Sequence, residues 1–88
     1  MYKVYILLCA DLSFYIGHTD TLSKRIKDHN NKNGSFYLNS KIPVKLVHYE
    51  TYQTRAEAMR REKQLKGWTR QKKINLIKYG HPTKTNKS

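Results

Sequence analysis

A carboxylate in the second half of the chain lies at a position that indicates a chemical role. On a helical wheel, Glu62 falls within the apolar arc that Ala58 and Leu65 define. A buried carboxylate is costly without a partner, because burial favours its neutral form while a nearby cation restores its charge. One interpretation is an ion pair with a nearby cation, either Arg25, Arg61 or Lys66. The other is a ligand for a divalent metal ion.

A second pair of reactive side chains lies earlier, where Arg25 precedes His29 by four residues, about one helical turn. Both lie beside an apolar stripe of Leu22 and Ile26, so we expect both to point near the sheet. The structural interpretation is an arginine at the rim of the stripe, with its head in water, and a core histidine with its hydrogen bonds satisfied. An arginine that only anchored phosphate would instead face outward beside Lys24.

Tyrosine is frequent, with seven in 88 residues, and Tyr5 and Tyr15 fall in the middle of two predicted strands. Core packing explains most tyrosines, because a phenol becomes a useful base only where cations stabilise the phenolate. Gly17 follows Tyr15 inside a strand, which indicates either a bulge or the close approach of another group. Other chemistries have no support, since the four histidines and single cysteine lack zinc spacing and no Gly-rich phosphate loop is present.

The elements that must position these residues follow from the hydrophobic pattern. Residues 2 to 8 alternate as a strand, and a short break leads into a second strand, so the first 18 residues predict a β-hairpin. A first helix is predicted over 20 to 31, capped by Thr19 or Asp20, and a polar loop then leads to a third strand over 44 to 49.

Two further helices are predicted in the second half of the chain. One begins at Thr54, turns Ala58, Met59 and Leu65 toward the core, and ends at Gly67; the next begins at Thr69 and ends near Gly80. The order ββαβαα predicts an α+β domain with a small three-stranded, mostly antiparallel sheet flanked by three helices. The domain is expected to span residues 1 to 80, followed by a polar, disordered tail over 81 to 88.

Charge is the strongest signal in the composition: 18 Lys and Arg against 6 Asp and Glu give a net charge of +12. Residues 53 to 88 carry 11 of the basic and 2 of the acidic side chains, so the second half should make most contacts with a polyanion. A single cysteine and an apolar run of only seven residues, Val4 to Ala10, predict a cytoplasmic protein without a membrane span.

In their order along the chain, these residues resemble the GIY-YIG nuclease domain over residues 2 to 80. The resemblance rests on Lys3-Val4-Tyr5, Tyr15-Ile16-Gly17, Arg25, His29 and Glu62. The first motif here lacks both the glycine and the isoleucine. The stretch from Ala58 to Trp68 is similar to the small stand-alone branch, which itself resembles the catalytic module of excision-repair and intron-homing endonucleases.

The resemblance implies catalytic roles position by position. Tyr5 and Tyr15 would flank the scissile phosphate, one of them deprotonating the attacking water, and Arg25 would neutralise the phosphate. His29 would assist proton transfer, and Glu62 would hold a single divalent ion, for which Mg²⁺ or Mn²⁺ suits one carboxylate and several waters. Asn75 matches a further family position only at an inexact offset.

The expected nucleic-acid contacts are one histidine directly after Gly17 and a set of Lys and Arg side chains. They are His18, Lys24, Arg60, Arg61, Lys63, Lys66, Arg70, Lys72 and Lys73. The leading hypothesis is a metal-dependent endonuclease that hydrolyses DNA, in repair or recombination. The alternative is a non-catalytic nucleic-acid-binding module that retains the fold. A third is an accessory module that acts beside a protein partner supplying specificity.

Overall fold

Six regular elements make up the fold in a computed structural model of the protein, which describes residues 1–31 and 40–80. They follow the predicted order ββαβαα. The elements are β1 (Tyr2–Leu8), β2 (Phe14–Thr19), α1 (Leu22–Asn30), β3 (Lys45–Tyr52), α2 (Arg55–Lys66) and α3 (Arg70–Tyr79).

The three strands form one antiparallel sheet in the order β2-β1-β3, which confirms the predicted α+β class. β1 takes the centre because Val4 to Leu7 are apolar or aromatic on both faces, and all four are buried. β2 and β3 are therefore the two edges of the sheet. β2 stays in regular register with β1 throughout, whereas the pairing of β1 with β3 has one irregularity between Ile6 and Leu7.

Helices cover both faces of this sheet, so the molecule has two thin cores. On one face, Val4, Ile6 and Ile16 pack with Ala58 and Leu65 of α2 and Leu76 of α3. On the other face, Tyr5 and Leu7 pack with Leu22 and Ile26 of α1. The alternation of side chains along β1 directs its residues to the two cores in turn.

Local capping sets the ends of α2 and α3 at the predicted residues. The hydroxyl of Thr54 accepts from the Glu57 amide, and the Glu57 carboxylate accepts from the Thr54 amide, which makes a capping box. The Thr69 hydroxyl caps α3 by accepting from the Lys72 amide. Gly67 follows the last residue of α2, and Gly80 closes α3 in a left-handed conformation.

Three local predictions were wrong in detail. The residue before α1 is Thr21, because Thr19 stays buried in β2, where its hydroxyl accepts from the Thr21 amide at 3.1 Å. β3 runs on to Tyr52 because β1 extends far enough to pair Tyr2 with Tyr52. Met59 is 49% exposed rather than in the core, because α2 buries the stripe of Ala58 and Leu65 instead.

Two predicted features lie outside the described residues: most of the polar loop, at residues 32–39, and the tail at residues 81–88. The boundary near residue 80 stays a prediction. Within residues 1–31 and 40–80, no helix is long and apolar enough to cross a membrane.

Candidate active site

Tyr5 reaches across the edge strand at Gly17. The two residues pair directly in the sheet, and the Tyr5 side chain is only 2% exposed. A Cβ added to Gly17 would lie 2.6 Å from the phenol oxygen of Tyr5 and 2.8 Å from its Cζ. Because the ladder is regular here, Gly17 is not a bulge; its missing side chain leaves the space that the phenol occupies.

Tyr15 and His29 continue this aromatic cluster on the same face of the sheet. The ring centroids of Tyr5 and Tyr15 lie 6.4 Å apart, and the His29 ring meets Tyr15 edge-on at 5.6 Å. His29 is 1% exposed and so lies in the core. Burial, and then the charge of Arg25, lower the pKa of His29, while Asp28 opposes them. The imidazole is therefore neutral at neutral pH.

Arg25 is exposed, which agrees with an arginine at the rim of the apolar stripe that keeps its head in water. It lines a cavity of about 200 Å³ together with His18, Asp20 and Arg55. Its charge nevertheless acts on both Tyr5 and His29, so it lies near the two buried groups. An exposed guanidinium can bind a phosphate that approaches from solvent.

The Tyr5 phenol is held in its protonated form. Burial and the neighbouring Tyr15 raise the pKa of Tyr5 well above its usual value, Arg25 lowers it, and Glu62 raises it further. At neutral pH the phenol is a hydrogen-bond donor, and it becomes a base only where added positive charge stabilises the phenolate.

Glu62 approaches the same edge strand from the other face. Its Oε1 lies 2.5 Å from Nδ1 of His18, and its Oε2 lies 2.6 Å from Nζ of Lys66. Burial acts to raise the pKa of Glu62, but the contacts with Lys66 and His18 outweigh it and the net shift is downward. The carboxylate is therefore ionised at neutral pH. Lys66 was among the predicted ion-pair partners and His18 was not.

The acid is not sealed off by these contacts. Its side chain is 16% exposed, and it lines a cavity of about 210 Å³ with His18, Met59, Lys63 and Lys66. His18 lines this cavity and also the one that contains Arg25, so the two cavities adjoin across β2. The free edge of the sheet at Gly17 and His18 is thus where the groups from both faces meet.

A divalent metal ion fits the acid by its chemistry. Among residues 1–31 and 40–80, no three His, Cys, Asp or Glu side chains gather as a ready-made cage, so Glu62 would be the protein's acidic ligand. Mg²⁺ is commonly held by one or two carboxylates while it keeps several waters. Lys66 is 56% exposed and on the same helix, so its flexible side chain can move away from the Glu62 Oε2.

Most of the predicted phosphate-binding cations lie on the surface. Lys72 and Lys63 are exposed, Lys24 is paired with Asp28 at 3.0 Å, and Arg70 stacks over Phe14 at 4.6 Å. Arg60 and Lys66 are also exposed, whereas Lys73 is half-buried. The weak candidate Asn75 lies on α3 and accepts a hydrogen bond from Gln71.

Arg61 has a different position from these cations. Its Nε and Nη2 donate to the two carboxylate oxygens of Glu50 at 2.8 and 3.1 Å, and its guanidinium stacks on Trp68 at 5.0 Å. Glu50 also accepts from Tyr52 at 2.7 Å and contacts His48 at 2.8 Å. This network was not predicted from the sequence, although His48, Glu50 and Tyr52 alternate along one face of a predicted strand region.

The fold and site together define a class of small α+β domain in which two phenols, a guanidinium and an acid surround the free edge of an antiparallel sheet. A family model described as the GIY-YIG catalytic domain matches residues 1–75. The chain belongs to this family of nuclease domains, in the small stand-alone branch.

Similar proteins agree with this placement. A UPF0213 protein of Haloquadratum walsbyi is 42% identical over 77 residues, covering 88% of this chain and 86% of that protein. A UPF0213 protein of Staphylococcus aureus is 44% identical over 75 residues, covering 85% and 92%.

Two solution NMR structures share the fold. A UPF0213 protein of Bacillus halodurans is 38% identical with a TM-score of 0.56, covering 88% of this chain and 83% of that one. A protein of E. faecalis is 34% identical with a TM-score of 0.62, covering 99% and 93%.

Proposed function

We propose that the protein is a divalent-metal-dependent endonuclease that hydrolyses phosphodiester bonds of DNA. One observation carries the proposal: the cavity that Arg25 lines and the cavity that Glu62 lines share His18 at the edge of β2, where the Tyr5 phenol lies over Gly17. Phosphodiester hydrolysis develops negative charge on the phosphoryl oxygens and the leaving oxygen, so it needs positive charge at both places.

Each residue has a role in this proposal. Arg25 binds the phosphate from the solvent side, and the Tyr5 phenol donates to a phosphate oxygen. His29, neutral and packed edge-on against Tyr15, would assist proton transfer from the attacking water, the role that the family resemblance implies. Glu62 would hold a Mg²⁺ or Mn²⁺ ion, which when bound supplies Lewis-acid stabilisation of the phosphate and the leaving oxygen.

The test is cleavage of a supercoiled plasmid in the presence of Mg²⁺ or Mn²⁺. We expect Glu62→Gln and Arg25→Ala each to lower the rate by about 100-fold or more, since each removes charge stabilisation of the transition state. A chelator should abolish the activity of the wild type.

Matched controls come from the same helices. Glu57→Gln changes another carboxylate of α2 while keeping a residue type that supports the capping box, and Lys27→Ala removes another exposed cation of α1. Both should cleave at close to the wild-type rate. A wild-type protein that cuts no better than Glu62→Gln would contradict the proposal.

The second candidate function is a non-catalytic nucleic-acid-binding module. It is favoured by the two contacts on Glu62, because a carboxylate already paired with His18 and Lys66 is a weaker metal ligand. Tight, salt-dependent DNA binding without cleavage would support this candidate. Plasmid cleavage by the wild type that needs Mg²⁺ or Mn²⁺ and that a chelator abolishes would contradict this candidate.

A role in DNA repair or recombination, with a protein partner that supplies specificity, is the setting we propose for this activity. The support is size and charge: a small domain with a net charge of +12 binds many polyanions and has little surface for reading sequence.

A further inference from the structure

One row of residues crosses all three strands at the centre of the candidate site. Tyr5 pairs with Gly17 of β2 on one side and with Tyr49 of β3 on the other. Directly paired residues point to the same face of a sheet, so these three share the face that α1 packs against. The Tyr5 side chain is directed toward β2, over Gly17, and therefore away from the space above Tyr49.

Tyr49 is left open in this arrangement. It is 52% exposed, whereas its neighbour Tyr5 is 2% exposed, and it belongs to neither of the two core clusters. No other residue in the ranges 1–31 and 40–80 forms a hydrogen bond or ring contact with its side chain. Core packing, which accounts for Tyr5, therefore does not account for Tyr49.

Positive charge lies beside this exposed ring. Lys3 pairs with Thr51, two residues beyond Tyr49 on the same face, so Lys3 and Tyr49 are diagonal neighbours. Diagonal neighbours lie within reach of long side chains. An exposed aromatic ring with a cation at its side, next to a phosphate-binding site, is the combination that holds a nucleotide by its base and its backbone.

We propose that Tyr49 is a stacking platform for an unpaired base next to the scissile phosphate, so that the preferred substrate is DNA with a single-stranded or unpaired segment. This inference rests on the proposed function. A base in a duplex is already stacked on both faces, and only an unpaired or extruded base can offer its face to a side chain.

Binding without metal tests the inference separately from cleavage. Affinity is measured in the presence of a chelator for three probes: a short oligothymidine strand, an abasic strand of equal length, and a duplex. The wild type should bind the thymidine strand at least about fivefold more tightly than the abasic strand, because only the former can stack. Tyr49→Ala should remove that difference and leave the affinity for the duplex unchanged.

Two variants control for other effects of the substitution. Tyr49→Phe keeps the ring and should keep the preference for bases. Tyr79→Ala removes another exposed tyrosine, at the end of α3, and should bind all three probes like the wild type. If Tyr49→Ala fails to fold, Tyr49→Thr, whose β-branched side chain suits a strand, also lacks the ring and should likewise remove the difference between the thymidine and abasic strands.

Five results would overturn the inference. The wild type does not bind the thymidine strand, or binds it no better than the abasic strand; Tyr49→Ala keeps the preference for the thymidine strand; Tyr49→Ala weakens all probes equally; or Tyr79→Ala causes the same loss as Tyr49→Ala. The proposed nuclease activity fails on a different result, the absence of metal-dependent plasmid cleavage. A protein that cleaves but shows no base preference contradicts this inference alone.

Discussion

The absence of a side chain at Gly17 determines where the phenol of Tyr5, on the neighbouring central strand, can lie. The phenol of Tyr5 is buried, yet it reaches the sheet edge because the backbone at Gly17 leaves room for it. The conformation of Gly17 is not the reason, since the pairing there is regular. The requirement is spatial, and it links an edge-strand glycine to the position of a phenol on the central strand.

We therefore expect Gly17→Ala to displace Tyr5. Its Cβ would lie 2.6 Å from the phenol oxygen, closer than carbon and oxygen tolerate, and the buried ring has little freedom to move aside. The substitution should lower the free energy of unfolding by about 1 to 3 kcal/mol, as overpacking does. It should also reduce plasmid cleavage by about 100-fold, since displacement of a positioned group costs that much.

Gly67→Ala is the matched control. The nearest atom to its new Cβ is the Gln64 carbonyl oxygen at 3.5 Å, an ordinary contact, and Gly67 has a right-handed conformation that alanine adopts. Urea unfolding should place this variant within about 1 kcal/mol of the wild type. Full cleavage activity in Gly17→Ala would show that cleavage does not require the Tyr5 phenol to reach the edge of β2 at Gly17.

At the scale of elements, an ionic network ties β3 to α2 and so holds the helix that carries Glu62. The Glu50 carboxylate accepts from Arg61, Tyr52 and His48, and Arg61 also packs on Trp68. Burial acts to raise the pKa of Glu50, but hydrogen bonds from His48, Arg61 and Tyr52 bring it well below its usual range. The folded protein therefore stabilises the ionised form of Glu50.

This network makes a prediction for acid pH. The folded pKa of Glu50 is depressed, so its contribution to stability is fully present above the unfolded pKa, near 4.3, and is lost as pH falls from there toward the folded value. Glu50→Gln should lower the free energy of unfolding by about 2 to 4 kcal/mol near neutral pH. The difference in the free energy of unfolding between the wild type and Glu50→Gln should be smaller at about pH 3 than near neutral pH. Urea unfolding at both pH values measures this difference.

Asp28→Asn provides the comparison for an exposed carboxylate. Asp28 pairs with Lys24 on the surface of α1, where such a pair contributes roughly 0.2 to 1 kcal/mol. Its substitution should change stability little at either pH. If the wild type and Glu50→Gln differed in free energy of unfolding by the same amount at both pH values, the Glu50 charge would not be what holds β3 to α2.

At the scale of the whole molecule, the excess of positive charge is concentrated on the second half of the chain, in and around α2 and α3. The structure divides these cations by environment. Lys63 and Lys72 are exposed, whereas Arg61 is paired with Glu50. Only the exposed cations are available to release counterions from DNA phosphates on binding.

We expect Lys63→Gln and Lys72→Gln each to weaken the salt dependence of DNA binding. Each lost phosphate contact should make the slope of log affinity against log salt shallower by about one unit. Arg61→Gln should instead leave the slope unchanged and lower the free energy of unfolding, because it unpairs Glu50. Binding titrations over a series of salt concentrations, with urea unfolding alongside, measure both effects.

The opposite result in these binding titrations would contradict the prediction. If Arg61→Gln made the slope shallower while Lys63→Gln and Lys72→Gln did not, the phosphate-binding surface would lie on the face of α2 that carries Arg61. The division of cations by burial would then be wrong.

Local patterns in the sequence were enough to predict the order of the elements and the family. Periodicity and caps predicted the order ββαβαα, the start of α2 at Thr54 and the presence of an acid on its apolar side, because these features depend on residues close in the chain. The ordered motif residues predicted the family, and the match over residues 1–75 confirmed it.

The partners that the candidate residues contact depend on how the strands and helices pack together. That Glu62 pairs with His18, that Arg61 pairs with Glu50, and that Gly17 accommodates Tyr5 each depend on the register between strands or on how a helix packs on the sheet. The sequence predicts that a buried charge needs a partner. The partner itself is set by contacts between residues far apart in the chain, which only the packed molecule brings together.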